Sequence, residues 1–258
     1  MGRSPKPSDA APDQTGSSPL TEDSFYGGRL AVRQFRDGYR FSIDAVLLAE
    51  FARPWVGRAI VEFGAGCGIV SLLMAIQTPQ AQIFALEIQP LLARLAAENV
   101  ALNDLTDRIT VLRRDLKTVS AADFEPLVDG VVCNPPYYPV GSGRLNPNGQ
   151  RAQARHELLV TLSDIIDAAR RTVKKSGSLI MIYPAERTGE LLSAMHSGGI
   201  EPKELRCVHA TAESDAQLVL VRGRLGVGTG MRVCAPMILY TPDGAPTDAH
   251  AAMLCDHP

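Results

Sequence analysis

Neither sign of charge is in excess in this chain of 258 residues: 26 Lys and Arg stand against 28 Asp and Glu, a formal net charge of −2. That balance excludes a basic protein that coats nucleic acid, so any contact with phosphates has to come from a local patch. No apolar run approaches the roughly 18 residues of a membrane span. The first stretch, 1–22, is rich in Ser, Pro, Asp and Gly and lacks the apolar centre of a secretory signal, so it reads as a disordered tail. Cysteines are few and scattered: Cys67, Cys133, Cys207, Cys234 and Cys255 form no C-x-x-C pair, and no His cluster completes a zinc-like set. The expectation is reduced thiols in a cytoplasm, with no metal site.

What the chain does have is alternation. Short apolar runs at Ala59–Phe63, Gln82–Leu86, Ile109–Leu112 and Gly130–Cys133 are separated by stretches with helical spacing, Ile69–Gln77 and Pro90–Leu102. Ile69, Leu72, Leu73 and Ile76 fall on one helical face, and Pro90 suits a first helical position, where its missing N–H costs nothing. After a loop at Tyr137–Gln150, rich in Gly, Pro and Asn, a helix is predicted from about Leu158 to Val173, stopped by Lys174, Lys175 and Gly177. A fifth strand at Ser178–Tyr183, a helix at Ala185–His196 and closing strands at Leu205–His209 and Gln217–Arg224 complete the pattern. The apolar residues Met237–Tyr240 are expected to pack back on the domain. Strands alternating with helices predict an α/β fold, a doubly wound and mostly parallel sheet of seven strands. In such sheets ligands bind beyond the carboxyl ends of the strands.

Chemistry-bearing residues gather at those ends. The run Glu62-Phe63-Gly64-Ala65-Gly66-Cys67-Gly68-Ile69 ends the first of these strands in three closely spaced glycines, which let a ligand approach the backbone at a helix N-terminus. A dinucleotide turn would need a small residue where Ile69 stands, so the nicotinamide reading is disfavoured. Glu87 ends the next strand, where a carboxylate can accept from both hydroxyls of a ribose, and Asp115 follows the third, where one can accept from an adenine amino group. Singly, each acid is a solvated charge or a helix cap. Three such features at successive strand ends point to a nucleoside-bearing ligand.

The most specific run is Asn134-Pro135-Pro136-Tyr137-Tyr138. Consecutive prolines after a buried strand hold the backbone extended. The Asn134 side-chain oxygen and a proline carbonyl can then accept both hydrogens of one –NH₂ group. An amide-like or exocyclic nitrogen is a poor nucleophile because its lone pair is delocalised. Two acceptors that draw it towards tetrahedral geometry localise that pair and stabilise the positive charge that develops during alkylation. Tyr137 beside them suits a stacking platform for a planar target.

These motifs, in this order, resemble the class I S-adenosylmethionine-dependent methyltransferases of the amino-methylating branch. Gln34–Ala49 (QFRDGYRFSIDAVLLA) further resembles the segment that precedes the first strand in the bacterial tRNA(Val) adenine-N6 methyltransferase family. The resemblance implies a Rossmann-like methyltransferase fold with an antiparallel closing strand, and S-adenosylmethionine as cofactor. It also implies a division into a cofactor-closing segment at 23–58, the methyltransferase domain at 59–225 and a C-terminal extension at 226–258. Carried over by match, Gly64, Gly66 and Gly68 would line the methionine and ribose of the cofactor, Glu87 would hold the ribose hydroxyls, and Asp115 would lie near the adenine. Phe41, Ser42 and Asp44 would close over the cofactor, Asn134 touching it as well as the target, while Asn134, Pro135, Pro136 and Tyr137 would receive the target nitrogen. Glu62 stands where the family more often has Asp.

For the substrate, Arg29, Arg33, Arg36 and Arg40 precede the first of these strands, and Arg144, Arg151 and Arg155 follow the catalytic loop with no acid between Tyr137 and Arg155. A basic rim, with Tyr138 and those last three arginines as substrate contacts, suits a phosphate backbone. An unpaired loop base is cheaper to extract than one in a duplex, so the expected substrate is the N6 of an adenine in RNA, in a tRNA loop. The alternative is glutamine N5 methylation of a protein such as a peptide release factor, which the same asparagine–proline logic serves. A binding protein without catalysis would have no need of that motif.

Overall fold

The computed structural model describes residues 20–36, 43–55, 57, 59–135 and 160–254. The chain opens with an antiparallel hairpin, β1 (Leu20–Phe25) and β2 (Leu30–Phe35), followed by α1 (Ile43–Ala52). The central sheet is built from β3 (Ala59–Phe63), β4 (Gln82–Glu87), β5 (Ile109–Arg113), β6 (Val128–Cys133), β7 (Val173–Pro184), β8 (Ile200–His209) and β9 (Ala216–Leu225). Between them run α2 (Ile69–Gln77), α3 (Pro90–Leu102), α4 (Leu162–Thr172) and α5 (Thr188–Ser197). Two-residue strands β10 (Arg232–Val233) and β11 (Met237–Ile238) extend the far edge along β8, and α6 (Asp248–Leu254) ends the described chain.

The strand order is β10-β8-β9-β7-β6-β3-β4-β5, with β11 also on β8. All neighbours are parallel except β9, which runs antiparallel to both β7 and β8. The expected seven strands and their antiparallel closer are therefore present, lengthened by the two short strands. Every residue of β3 is buried, as a strand covered by helices on both faces demands, which is why it reads as AIVEF rather than as an alternation. In α2, Leu72, Leu73 and Met74 have no exposure, and burying such a side chain stabilises by roughly 1.5–3 kcal/mol each.

Several boundaries differ from the sequence expectation, each for a local reason. Thr161 caps α4: its Oγ1 accepts from the Asp164 N–H at 3.1 Å while Asp164 accepts from the Thr161 N–H at 2.8 Å, so the helix begins at Leu162. The helix stops at Thr172, just ahead of Lys174, Lys175 and Gly177 as expected, but those residues lie within a strand that begins earlier than Ser178. β7 starts directly at Val173, and the register against β6 slips between Val128↔Val173 and Gly130↔Ser178. That irregularity absorbs the intervening residues, with Ser176 at φ 61° and Lys174 reaching Asp129. Met237–Ile238 pack back as expected, by pairing with Val208 and His209.

No helix among the described residues is long and apolar enough to cross a membrane. Among the described residues Cys67, Cys133, Cys207 and Cys234 are free thiols. No group of three or more His, Cys, Asp or Glu among those residues could hold a metal ion.

Candidate functional site

The chain runs β3, β4, β5 outward in one direction and then returns to place β6 on the other side of β3. Between β3 and β6 the sheet reverses, and crevices at such a point bind ligands. The register shows what meets there. Leu86, Phe63, Cys133 and Met181 form one row across β4, β3, β6 and β7, so Glu87, Gly64 and Asn134 are each one residue past it on adjacent strands. Adjacent strands lie about 4.8 Å apart. The glycine turn, its neighbouring acid and the asparagine are thus drawn together by pairing alone.

The turn after β3 is held from several sides. The Gly64 and Ala65 N–H groups both donate to the Leu86 carbonyl at 2.9 Å, and the Gly68 N–H donates to Ala65 O at 2.8 Å. Gly64, Gly66 and Gly68 all have positive φ, at 71°, 57° and 87°. A Cβ at Gly68 would meet Ala96 of α3 at 3.3 Å, so that glycine permits close helix packing. Among the described residues, a Cβ at Gly64 or Gly66 would meet nothing within 4 Å.

Beneath the turn, Glu62 is buried and its Oε2 accepts from both the N–H (2.9 Å) and the hydroxyl of Ser71 in α2. Burial pushes its carboxyl up to about 8 despite those bonds, with Glu87 adding to the rise. This is a structural group, tying β3 to α2 beneath the turn. Burial also raises the Cys67 thiol to about 11 and the Cys133 thiol further, so neither is an activated nucleophile.

Glu87 is buried at the end of β4. Its Oε2 accepts from the Gly66 N–H at 2.9 Å and its Oε1 from the Gln89 N–H at 2.8 Å. A carboxylate has about four lone-pair sites, so these two bonds orient it and leave room for two further donors, as a ribose diol presents. Directly after it, Ile88 is 42% exposed, and Leu91 is 63% exposed. Asp115 lies one strand further out, past the end of β5, and its Oδ1 accepts from the Lys117 N–H at 2.9 Å. Asn134 is half-buried and Pro135 buried at the end of β6. Asp44 sits in the first turn of α1, which packs on α2. Among the described residues, open space over two glycines, a pinned carboxylate with spare acceptor sites and exposed apolar groups beside it fit S-adenosylmethionine.

Phe41, Ser42, Pro136, Tyr137, Tyr138, Arg144, Arg151 and Arg155 lie outside the described residues, as does Arg40. Of the arginines ahead of β3, Arg33 is already engaged: its Nε lies 2.9 Å from Glu22 Oε2 across the hairpin. Sequence reasoning missed Asn99 and Asn103 of α3. Asn99, fully buried, donates to the carbonyl of Cys67 in the turn and bonds both backbone groups of Arg33. Its only signal in the sequence is a second asparagine four residues on, which is also how a polar helix end looks.

Known proteins resemble the chain along most of its length. A tRNA1(Val) (adenine(37)-N6)-methyltransferase of Aeromonas hydrophila is 27% identical over 218 residues, 83% of this chain and 88% of that protein. One of the same name from Porphyromonas gingivalis is 31% identical over 181 residues, 67% of this chain and 69% of the relative. A solved structure of a predicted O-methyltransferase from Agrobacterium tumefaciens superposes with a TM-score of 0.65 at 24% identity, covering 81% of this chain and 94% of its own, and shares the fold. The model of the methyltransferase small domain matches residues 42–196. That span runs from the residue before α1 to within α5 and exceeds half the sequence, and by it the chain belongs to the methyltransferase small domain family.

Proposed function

We propose that this chain transfers a methyl group from S-adenosylmethionine to the N6 of an adenine in tRNA. One observation carries the reading: Gly64 and Asn134 occupy neighbouring strand ends at the switch point of the sheet, with Glu87 on the other side of Gly64. When bound, S-adenosylmethionine supplies an electrophilic methyl on a sulfonium. Everything else falls to the chain's own residues. Glu87, held by the Gly66 and Gln89 N–H groups, offers its remaining acceptor sites to ribose hydroxyls. Among the described residues, Gly64 and Gly66 leave the surface open for the ligand to lie against the backbone. Asn134 and the carbonyl of Pro135 accept the two amino hydrogens and localise the nitrogen lone pair in line with the methyl. Tyr137 stacks on the base, and Phe41, Ser42 and Asp44 close over the cofactor. The target nitrogen would take the methyl of the bound cofactor, which would leave as the neutral thioether S-adenosylhomocysteine, and the surplus amino proton would pass to solvent.

In this reading 59–225 is the catalytic domain, 23–58 closes the cofactor site, 226–258 extends the far edge, and the setting is the cytoplasm, where tRNA is found. The names of the relatives support adenine over glutamine as the target. The test offers methyl-labelled S-adenosylmethionine with unmodified bulk tRNA and, in parallel, a peptide release factor. Label recovered from tRNA as N6-methyladenosine is the expected result. Label in the protein alone would keep the cofactor assignment and overturn the substrate.

A further inference from the structure

The side chain of Asn99 is fully buried, and three polar groups converge on it. Its Oδ1 accepts from the Arg33 N–H at 2.8 Å, and its Nδ2 donates to Arg33 O at 2.8 Å and to Cys67 O at 2.9 Å. Asn103, one turn on, makes the same pair of bonds to Ala31, with its Oδ1 accepting at 2.9 Å and its Nδ2 donating at 2.7 Å. It does not reach the glycine turn; its other bond goes to Asn99 O. Together the two carboxamides receive the edge of β2 much as a neighbouring strand would. Only Asn99 continues that contact into the turn.

The turn needs such a contact. Cys67 lies between Gly66 at φ 57° and Gly68 at φ 87°, and glycines on either side let a peptide plane rotate at little cost. The Cys67–Gly68 peptide is fixed at both ends, by its N–H on Ala65 O and by its carbonyl on Asn99. The same face of α3 presents Ala96 to Gly68, so Ala96, Asn99 and Asn103, spaced three and four residues apart, clamp the turn and the hairpin together.

We propose that Asn99 is a positioning residue for methyl transfer: it selects one orientation of the Cys67–Gly68 peptide and so holds the glycine turn in its binding-competent form, with the N-terminal hairpin seated on the same side chain. No other residue type fits the three bonds. Aspartate cannot donate to the two carbonyls, and glutamine is longer by a methylene. Without Asn99 the turn samples other peptide orientations, and apparent cofactor affinity falls by the fraction of time it is competent. The inference rests on the reading of this turn as the cofactor site.

The test compares Asn99→Ala with Asn103→Ala in the full chain, by calorimetric titration with S-adenosylmethionine and by steady-state transfer. Both variants lose bonds to β2, and both melt at a lower temperature. The Asn99→Ala chain binds S-adenosylmethionine about tenfold more weakly, the loss expected for one buried hydrogen bond. Its KM for the cofactor rises while kcat stays within about twofold. The Asn103→Ala chain keeps its affinity within about twofold. Where Asn99→Ala does not fold, Asn99→Ser, which keeps a small polar side chain but cannot reach all three partners, takes its place. Equal affinities in the native chain and the folded Asn99 variant, or equal losses in both variants, overturn the inference alone. A native chain that does not bind S-adenosylmethionine overturns the cofactor reading and the inference with it.

Discussion

Replacing Gly66 with alanine separates two things a glycine does in a turn. At φ 57° an L-residue pays a backbone penalty of about 1–2 kcal/mol, whatever surrounds it. Its Cβ meets no atom of the described residues within 4 Å, so steric repulsion from them adds nothing to that figure. For a domain of this size the penalty lowers Tm by roughly 2–8 °C. If a ligand fills that space, the added methyl has to be accommodated against it, which costs about 1–3 kcal/mol and weakens binding roughly 5- to 150-fold. Gly199 supplies the matched control. Its φ is 77°, a Cβ there also meets no such atom within 4 Å, and it precedes β8 at the opposite end of the sheet. Gly66→Ala and Gly199→Ala should therefore melt alike in a thermal scan, while only Gly66→Ala loses affinity for S-adenosylmethionine in a calorimetric titration. Equal affinities in the two variants would refute the placement of the cofactor over the turn.

Asn134→Ala should lower kcat by about 10²–10³-fold, as removal of one preorganised electrostatic partner does, with cofactor affinity nearly intact; a parallel collapse of affinity would contradict its role at the target nitrogen. Glu62 is held near 8 by burial, above its ordinary 4.5, so the folded chain keeps a proton that the unfolded chain releases, and stability falls as pH rises from about 4.5 to about 8. Glu62→Gln, which cannot ionise, should flatten that part of the Tm–pH curve, and an unchanged slope would show that the carboxyl is not held protonated. Replacing Arg144, Arg151 and Arg155 together should weaken tRNA binding and make it less sensitive to salt, the log–log slope falling by about one for each phosphate that is no longer neutralised. An unchanged slope moves the RNA surface elsewhere.

The half of the sheet that carries the site was legible because its signals are local. A buried parallel strand has to be apolar throughout, a strand-to-helix turn with three glycines announces itself, and Pro90 marks a helix start by its missing N–H. α1 was not legible. Of its ten residues, Ala45, Val46, Leu47, Leu48, Ala49, Phe51 and Ala52 are all buried, so it carries no amphipathic stripe to give a period. The hairpin failed for the opposite reason. LTEDSF has neither β-branched density nor a clean alternation, and its partner strand is held in part by carboxamides some seventy residues away. The role of Asn99 is hidden likewise, since a late-helix asparagine is ordinary until its partners are known.

Under the proposed function, the paired strand ends and the residues after Pro135 would divide the reaction between them. Glu87, Gly64 and Asn134 sit one residue past a common row on adjacent strands, so their spacing follows from backbone hydrogen bonds and resists substitution elsewhere. Tyr137 and Arg144 follow that row in the chain, between Pro135 and α4, outside the described residues. Cofactor placement and methyl acceptance would then belong, under the proposed function, to the paired strand ends, and choice of acceptor molecule to residues such as Tyr137 and Arg144. Exchanging 137–155 for a loop of different charge should therefore alter which molecule is methylated and leave S-adenosylmethionine affinity unchanged. A loop exchange that weakened cofactor binding as much as substrate binding would show that the two are coupled, and that the acceptor segment forms a wall of the cofactor site.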